Sequence, residues 1–306
     1  MSRLLVLRLS ALGDVIHTIP AVVSLKNAAD VTWVVEAPYR ELVEIVAGVE
    51  VLPVRMKKEP RAAIRAIRSA RGFDASVDFQ GLIKSAALGW LSGAKTRYGF
   101  DRHAIREKAA LLFTNRHVRV DAASHVIDQN LQLASGATGS QPVDLETRRA
   151  ESPSLQNWDD FAVPVPGYEN SIVLLPGAGK ANKLWPVERF RELAKRIGPR
   201  AVAAWGPGER ELAEAIGARI APSTNLRELA GLLQSAEVVI GGDTGPLHLA
   251  DALGTKVIGL YGPTNPRRNG PYHQLQHCID RFSTTKWMDS ISVEEVMTML
   301  GRVTAE

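Results

Sequence analysis

Nine short apolar runs punctuate this chain, and helical patterns separate them. In the first half, RLLVLRL (3–9), VTWVV (31–35), VEVLPV (49–54), ASVDF (75–79) and TRYGF (96–100) read as strands. In the second, SIVLLP (171–176), AVAAW (201–205), EVVIGG (237–242) and KVIGLYG (256–262) do. Helical segments fall near 14–28, 39–47, 60–71 and 82–92, and again near 187–197, 209–217, 226–235 and 246–253. Strands that are apolar almost throughout, each followed by a helix, belong in parallel sheets covered on both faces. Two such blocks predict an α/β protein of two doubly wound, Rossmann-like domains.

A chain of 306 residues accommodates two domains of roughly 100–200 residues each. A stretch rich in Pro, Asn and Asp (151–170) separates the blocks, which sets the expected domains at 1–155 and 165–290. A last helix near 292–302 comes after the second sheet is complete, and 291–306 are expected to pack back toward the first domain.

Charge is spread unevenly. Residues 1–150 hold 21 Lys and Arg against 15 Asp and Glu, while the remainder holds 16 against 18. The first half is therefore expected to meet something anionic. Cys278 is the only cysteine, which excludes an intrachain disulfide and a cysteine metal cluster and fits a reducing compartment. The opening MSRLLVLRLSALGD does not read as a signal peptide, since Arg8 breaks its apolar run, and no stretch approaches the roughly 18 apolar residues of a membrane span. A cytoplasmic protein, soluble or peripheral to a membrane, is expected.

Open α/β sheets bind ligands beyond the carboxyl ends of their strands, so the loops after strands hold the candidates, and two such domains are expected to enclose a cleft. In RLSALGDVIHTIP (8–20), Gly13 permits close backbone approach and Asp14 opens a helix. Asp14 reads either as a helix cap or as a general base. In VDFQGLIKSAAL (77–88), Asp78 and Gln80 end a strand, to contact substrate or to cap the next helix. Residues 55–71 carry seven Lys and Arg and one Glu, and KTRYGFDRHAIREK (95–108) is a second basic stretch. One such stretch is an ordinary solvated face, whereas two in one half favour an anionic partner. Nucleic acid is not expected, because no known binding module is present and aromatics make up 6%.

In the second half, PGAGKANKLWP (176–186) places Gly177, Ala178 and Gly179 after a strand, with Lys183 close behind. Glycines let backbone N–H groups approach a phosphate. The spacing is not that of a P-loop, and no G-x-G-x-x-G follows the first strand, which counts against a dinucleotide-dependent dehydrogenase. Glu209 opens a helix after WG and reads as an acid at a helix start or as a partner for ribose hydroxyls. In GGDTGPLHLA (241–250), Asp243 suits the N-cap and Pro246 the first turn, while the N–H groups of Thr244 and Gly245 are free to hold a diphosphate.

Taken together, SALGDVIHTIPA, VDFQGLIKSAAL, GFDRHAIREKAALLF, PGAGKANKLWP and GGDTGPLHLADALGTKVIGLYGPTNP resemble the lipopolysaccharide heptosyltransferases of glycosyltransferase family 9 across nearly the whole chain. GDVIHTIP, QGLIKSA and GFDRHAIRE look more like the members that add the first heptose to Kdo than like those that add the second. The resemblance implies a GT-B fold, an ADP-heptose donor held mainly by the second domain, and a Kdo-lipid A acceptor on the first. It further implies inverting transfer without a metal or other cofactor, at the anionic cytoplasmic face of the inner membrane. By the same resemblance Asp14 is the base, and Lys183 supports the departing diphosphate. Gly13, Gly177, Ala178, Gly179, Glu209, Asp243, Thr244, Gly245 and His248 join Lys183 around the donor. Arg55, Lys57, Lys58, Gln80 and Arg106 meet the acceptor. Ala178 and Gly179 stand where one common pattern has hydroxyl residues, which leaves that work to backbone N–H groups. A nucleotide-sugar-binding protein without catalysis would have no use for a base such as Asp14.

Overall fold

The structure is a computed structural model that describes residues 2–139 and 158–306; the portion of the expected linker at 151–157 lies outside them. The chain divides into two compact units, Met1–Asn157 and Trp158–Glu306.

The first unit is built on a six-stranded parallel sheet in the order β3-β2-β1-β4-β5-β6. Its strands are β1 (Ser2–Leu7), β2 (Ala29–Glu36), β3 (Val49–Val54), β4 (Ala75–Asp78), β5 (Thr96–Phe100) and β6 (Arg116–Val118). Leu5, Val6 and Leu7 of β1 are all fully buried, although successive side chains point to opposite faces, so helices cover both sides. The second unit repeats the design with β7 (Ile172–Leu175), β8 (Ala201–Ala203), β9 (Arg219–Ile220), β10 (Val238–Gly242), β11 (Lys256–Tyr261) and β12 (Cys278–Asp280). Its order is β12-β11-β10-β7-β8-β9. Counted within each unit, both sheets run 3-2-1-4-5-6, the doubly wound order whose ligand crevice opens where the chain reverses direction across the sheet. That point lies between β1 and β4 in the first unit and between β7 and β10 in the second.

Several elements differ from the sequence expectation. The segment at 14–28 forms two helices, Leu12–Ile16 and Ile19–Lys26. Pro20 has no N–H to continue a helix but suits the first turn of a new one, and the Thr18 hydroxyl closes the break by donating to the Asp14 carbonyl at 2.8 Å. A helix at Val126–Thr138 went unrecognised. It packs against Ile19–Lys26 with Asp128, Gln129 and Asn130 buried, and Asn130 Nδ2 donates to the His17 carbonyl at 2.9 Å.

The C-terminal helix, Val293–Ala305, lies within the second unit. Ser292 and Glu295 form a capping box at its start. Val293, Val296, Leu300 and Val303 make one apolar stripe, and that stripe is buried with Phe190 and Leu193 of the helix Val187–Ile197 and with Val238 and Ile258 of β10 and β11. Among the described residues no helix is long and apolar enough to cross a membrane.

Candidate active site

In the first unit β1 delivers the chain into the helix Leu12–Ile16, and Asp14 sits in that helix's first turn. The N-cap is Ala11, so Asp14 is not the cap. Instead it is held by two arginines. Arg8 Nη2 lies 2.5 Å from Asp14 Oδ1, and Arg106 Nη2 lies 3.3 Å from the same oxygen. Arg106 Nη1 is 3.4 Å from Oδ2. Burial pushes the Asp14 carboxyl up, but the guanidiniums of Arg8 and Arg106 outweigh it and hold the group below its ordinary range. The site therefore contains a partly buried carboxylate that stays ionised.

Arg8 is 1% exposed, and its other terminal nitrogen donates to the Phe79 carbonyl. Its own carbonyl accepts from Trp33 Nε1 at 3.1 Å. Sequence reasoning noticed Arg8 only as a break in an apolar run. A charge within a strand buried on both faces needs a buried counter-charge, and that was the missed signal.

The loop after β4 supports Arg106. Asp78 is buried and accepts from Gln80 N at 2.9 Å, Gly81 N at 3.2 Å and Ser85 Oγ at 3.0 Å. Burial raises its pKa to about 6 against the pull of those donors and of Arg8. The turn that Asp78 organises has Gly81 at φ +65°, and a Cβ there would stand 3.3 Å from the Arg106 backbone nitrogen. A glycine satisfies both demands. Glu107 N donates to the Gly81 carbonyl at 3.0 Å, and Ile83 N donates to Glu107 Oε2 at 2.7 Å. Gln80, expected at the acceptor, is buried, and its side-chain oxygen accepts from Leu9 N at 2.9 Å. Gly13 is buried in the helix Leu12–Ile16. Arg55, Lys57 and Lys58 are exposed in the turn after β3, with Arg55 3.7 Å from Glu59.

In the second unit the loop after β7 meets the one after β8. Glu209 Oε2 accepts from Gly206 N at 2.9 Å, and its carboxylate fills the space over Gly177, where a Cβ would come within 2.1 Å of it. Gly177 thus makes room for an acid rather than only for a ligand. Ala178 is half-buried, and Gly179 is exposed. Lys183 turns back so that Nζ lies 2.6 Å from Asp243 Oδ2.

Asp243 lies just beyond β10. The N-cap of the helix Gly245–Ala252 is Thr244, not Asp243 as the sequence suggested. Asp243 is drawn away from the helix start by Lys183 and by His248, whose Nε2 is 3.1 Å from Oδ1. Burial opposes its ionisation, but the bonds and charges of His248 and Lys183 prevail and lower its pKa to about 2. With Asp243 withdrawn, no side chain caps the helix, and the Thr244 hydroxyl is buried with no hydrogen-bond partner among the described residues. First-turn N–H groups lack intrahelical partners and favour an anion. Among the described residues no group of three or more His, Cys, Asp or Glu is arranged to hold a metal ion.

Two doubly wound units, with Asp14 at the switch point of one and Lys183, Asp243 and the helix Gly245–Ala252 at that of the other, define a glycosyltransferase of the GT-B class. Residues 61–295 match glycosyltransferase family 9 (heptosyltransferase), and the chain belongs to that family. It is 31% identical to lipopolysaccharide heptosyltransferase 1 of Escherichia coli K12 over 307 aligned positions, covering 90% of this chain and 92% of that protein. It is 30% identical to lipopolysaccharide heptosyltransferase 1 of Pseudomonas aeruginosa, covering 90% of this chain and 82% of that protein. Among solved structures, E. coli heptosyltransferase WaaC with ADP superposes with a TM-score of 0.83 at 26% identity, covering 98% of this chain and 99% of that one.

Proposed function

We propose that this chain transfers L-glycero-D-manno-heptose from ADP-heptose to the Kdo of Kdo-lipid A, with inversion at the anomeric carbon. The observation that carries the reading is the Asp14 carboxylate, kept ionised at the carboxyl end of β1 between Arg8 and Arg106. The name of the E. coli and P. aeruginosa relatives supports it, as does the ADP-2-deoxy-2-fluoro heptose in a second WaaC structure.

In this reading a Kdo hydroxyl oxygen attacks the anomeric carbon of heptose. The bond from that carbon to the diphosphate oxygen breaks, ADP leaves with the electron pair, and Asp14 takes the hydroxyl proton. Two guanidiniums make Asp14 a weak base. An acceptor carboxylate that draws Arg106 to itself leaves Asp14 with Arg8 alone, and its basicity rises as the acceptor seats. Lys183 and the N–H groups of Thr244 and Gly245 take the charge that develops on the diphosphate, so no metal is needed. Glu209 accepts from the ribose. Arg55, Lys57 and Lys58 meet the acid groups of the acceptor, and the enzyme works at the anionic cytoplasmic face of the inner membrane.

Offering Kdo-lipid A and heptosyl-Kdo-lipid A side by side, with ADP-heptose as donor, tests this. The reading predicts product from the first acceptor. Product from the second alone would assign the chain to a later heptosyl transfer.

A further inference from the structure

The helix Ile83–Leu91 buries one face and, among the described residues, leaves the other exposed. Ser85, Ala86, Leu88 and Gly89 are buried, and Gly89 packs so closely on Leu7 of β1 that a Cβ would stand 3.0 Å from its side chain. Ile83, Ala87 and Trp90 recur at the i, i+4, i+7 spacing of the outward face. Ile83 is 42% exposed and Trp90 55%, although both are large and apolar. A second element adds to this face: the 3₁₀ turn Lys108–Leu112 packs against the helix, Leu112 is 83% exposed, and the Phe113 ring meets Trp90 edge-on with centroids 6.3 Å apart.

The segment that carries this face is basic. Residues 81–120 contain eight Lys and Arg against two acids. Both acids are engaged locally, Glu107 with Ile83 N and Asp101 with His103 N and Ala104 N. Lys84 follows Ile83 on the helix, and Lys108 opens the 3₁₀ turn that ends at Leu112. The face also adjoins the candidate site, because Glu107, which anchors Ile83, follows Arg106, the partner of Asp14. Trp90 lies ~10 Å from Ile83 along the helix.

We infer that Ile83, Trp90 and Leu112, edged by Lys84 and Lys108, dock the protein on an anionic lipid bilayer, inserting at headgroup depth. An aromatic ring and aliphatic tips rimmed by lysines suit that interface, where the rings sit among headgroups and the lysines meet lipid phosphates. The inference rests on the reading of the acceptor as lipid-borne. It supplies that reading with a way of setting Arg106 and Asp14 near the acceptor's headgroup while the acyl chains stay in the membrane.

The test is flotation of the full chain with phosphatidylglycerol–phosphatidylethanolamine vesicles and with phosphatidylcholine vesicles, at low and high salt. Binding to the anionic vesicles that weakens with salt is expected, and Trp90→Ser combined with Leu112→Ser should lower it by ~10-fold or more. Leu112→Ser alone gives a partial loss at a side chain too exposed to matter for folding. Transfer to a water-soluble Kdo acceptor lacking acyl chains stays at the unmodified rate in both variants. Equal vesicle binding by the unmodified chain and both variants overturns the inference, as does a dimer that Leu112→Ser dissociates. Anionic-vesicle binding lost in the variants, with no transfer to any Kdo acceptor, upholds the docking surface and removes the heptosyl transfer reading instead.

Discussion

The Arg8 guanidinium is buried and lies 2.5 Å from the Asp14 carboxylate, while Arg106 approaches the same carboxylate from a position exposed to solvent. The two arginines therefore have different consequences when removed. Arg8→Met strips the partner from Phe79 O and one of two from Asp14 within the sheet's edge, and is expected to destabilise the first unit by about 3–5 kcal/mol. Arg106→Ala leaves the fold intact. It removes one of the charges that lower the Asp14 pKa, so the acidic limb of the acceptor kcat/KM profile moves to higher pH. Its acceptor KM rises more than its ADP-heptose Kd. Thermal melts and a pH profile separate these effects, and an acidic limb that does not move removes Arg106 from the control of Asp14.

Asp243 predicts an acid-sensitive second unit. Its folded pKa of about 2 lies below the ordinary 3.8, so it contributes stability that is present above pH ~4 and lost as pH falls toward 2. That difference corresponds to about 2 kcal/mol. Asp243→Asn should lower stability at neutral pH and flatten the acid limb of a denaturation series between pH 4 and pH 2. An unchanged slope would mean that Lys183 and His248 do not hold Asp243 in solution as they do here.

Gly177 and Glu209 form a coupled pair. Gly177→Ala places a methyl group where the Glu209 carboxylate stands, and ADP-heptose binding is expected to weaken ~10-fold through the displaced loop. In a Glu209→Ala background that space is free, so the same glycine substitution should cost much less. Calorimetric titrations of the double-mutant cycle measure the coupling, and additive losses would contradict it.

How much of this was legible in the sequence depended on the length of each signal. Long apolar strands such as β1 and β11 declare themselves, because both faces are covered. β6, β9 and β12 hold three, two and three residues, too few to show any period, and were not anticipated. The helix Val126–Thr138 was masked by its own interior, where Asp128, Gln129 and Asn130 occupy buried positions that a pattern of apolar residues would claim. At the candidate site, Asp14, Lys183 and Asp243 stood out as charges beside glycines after strands. Their pairings did not: nothing local says that Lys183 and His248 hold Asp243 or that Arg106 holds Asp14, and Arg8 showed only as a break in an apolar run. Arg8, Arg106 and Asp14 come together only because β1 and β5 end at one edge of the sheet, and no local spacing encodes that. Asp243 looked like a cap because its neighbours form a helix start; the long-range pull of Lys183, sixty positions away, decides otherwise.

The central claim is that Asp14 removes the acceptor proton during heptosyl transfer. The most direct measurement compares unmodified protein with Asp14→Asn for single-turnover transfer from ADP-heptose to Kdo-lipid A, alongside ADP-heptose Kd for both. Asparagine keeps the shape and cannot take the proton, so the rate should fall roughly 10²–10⁴-fold while donor affinity is unchanged. A transfer rate equal to that of the unmodified protein would contradict the account.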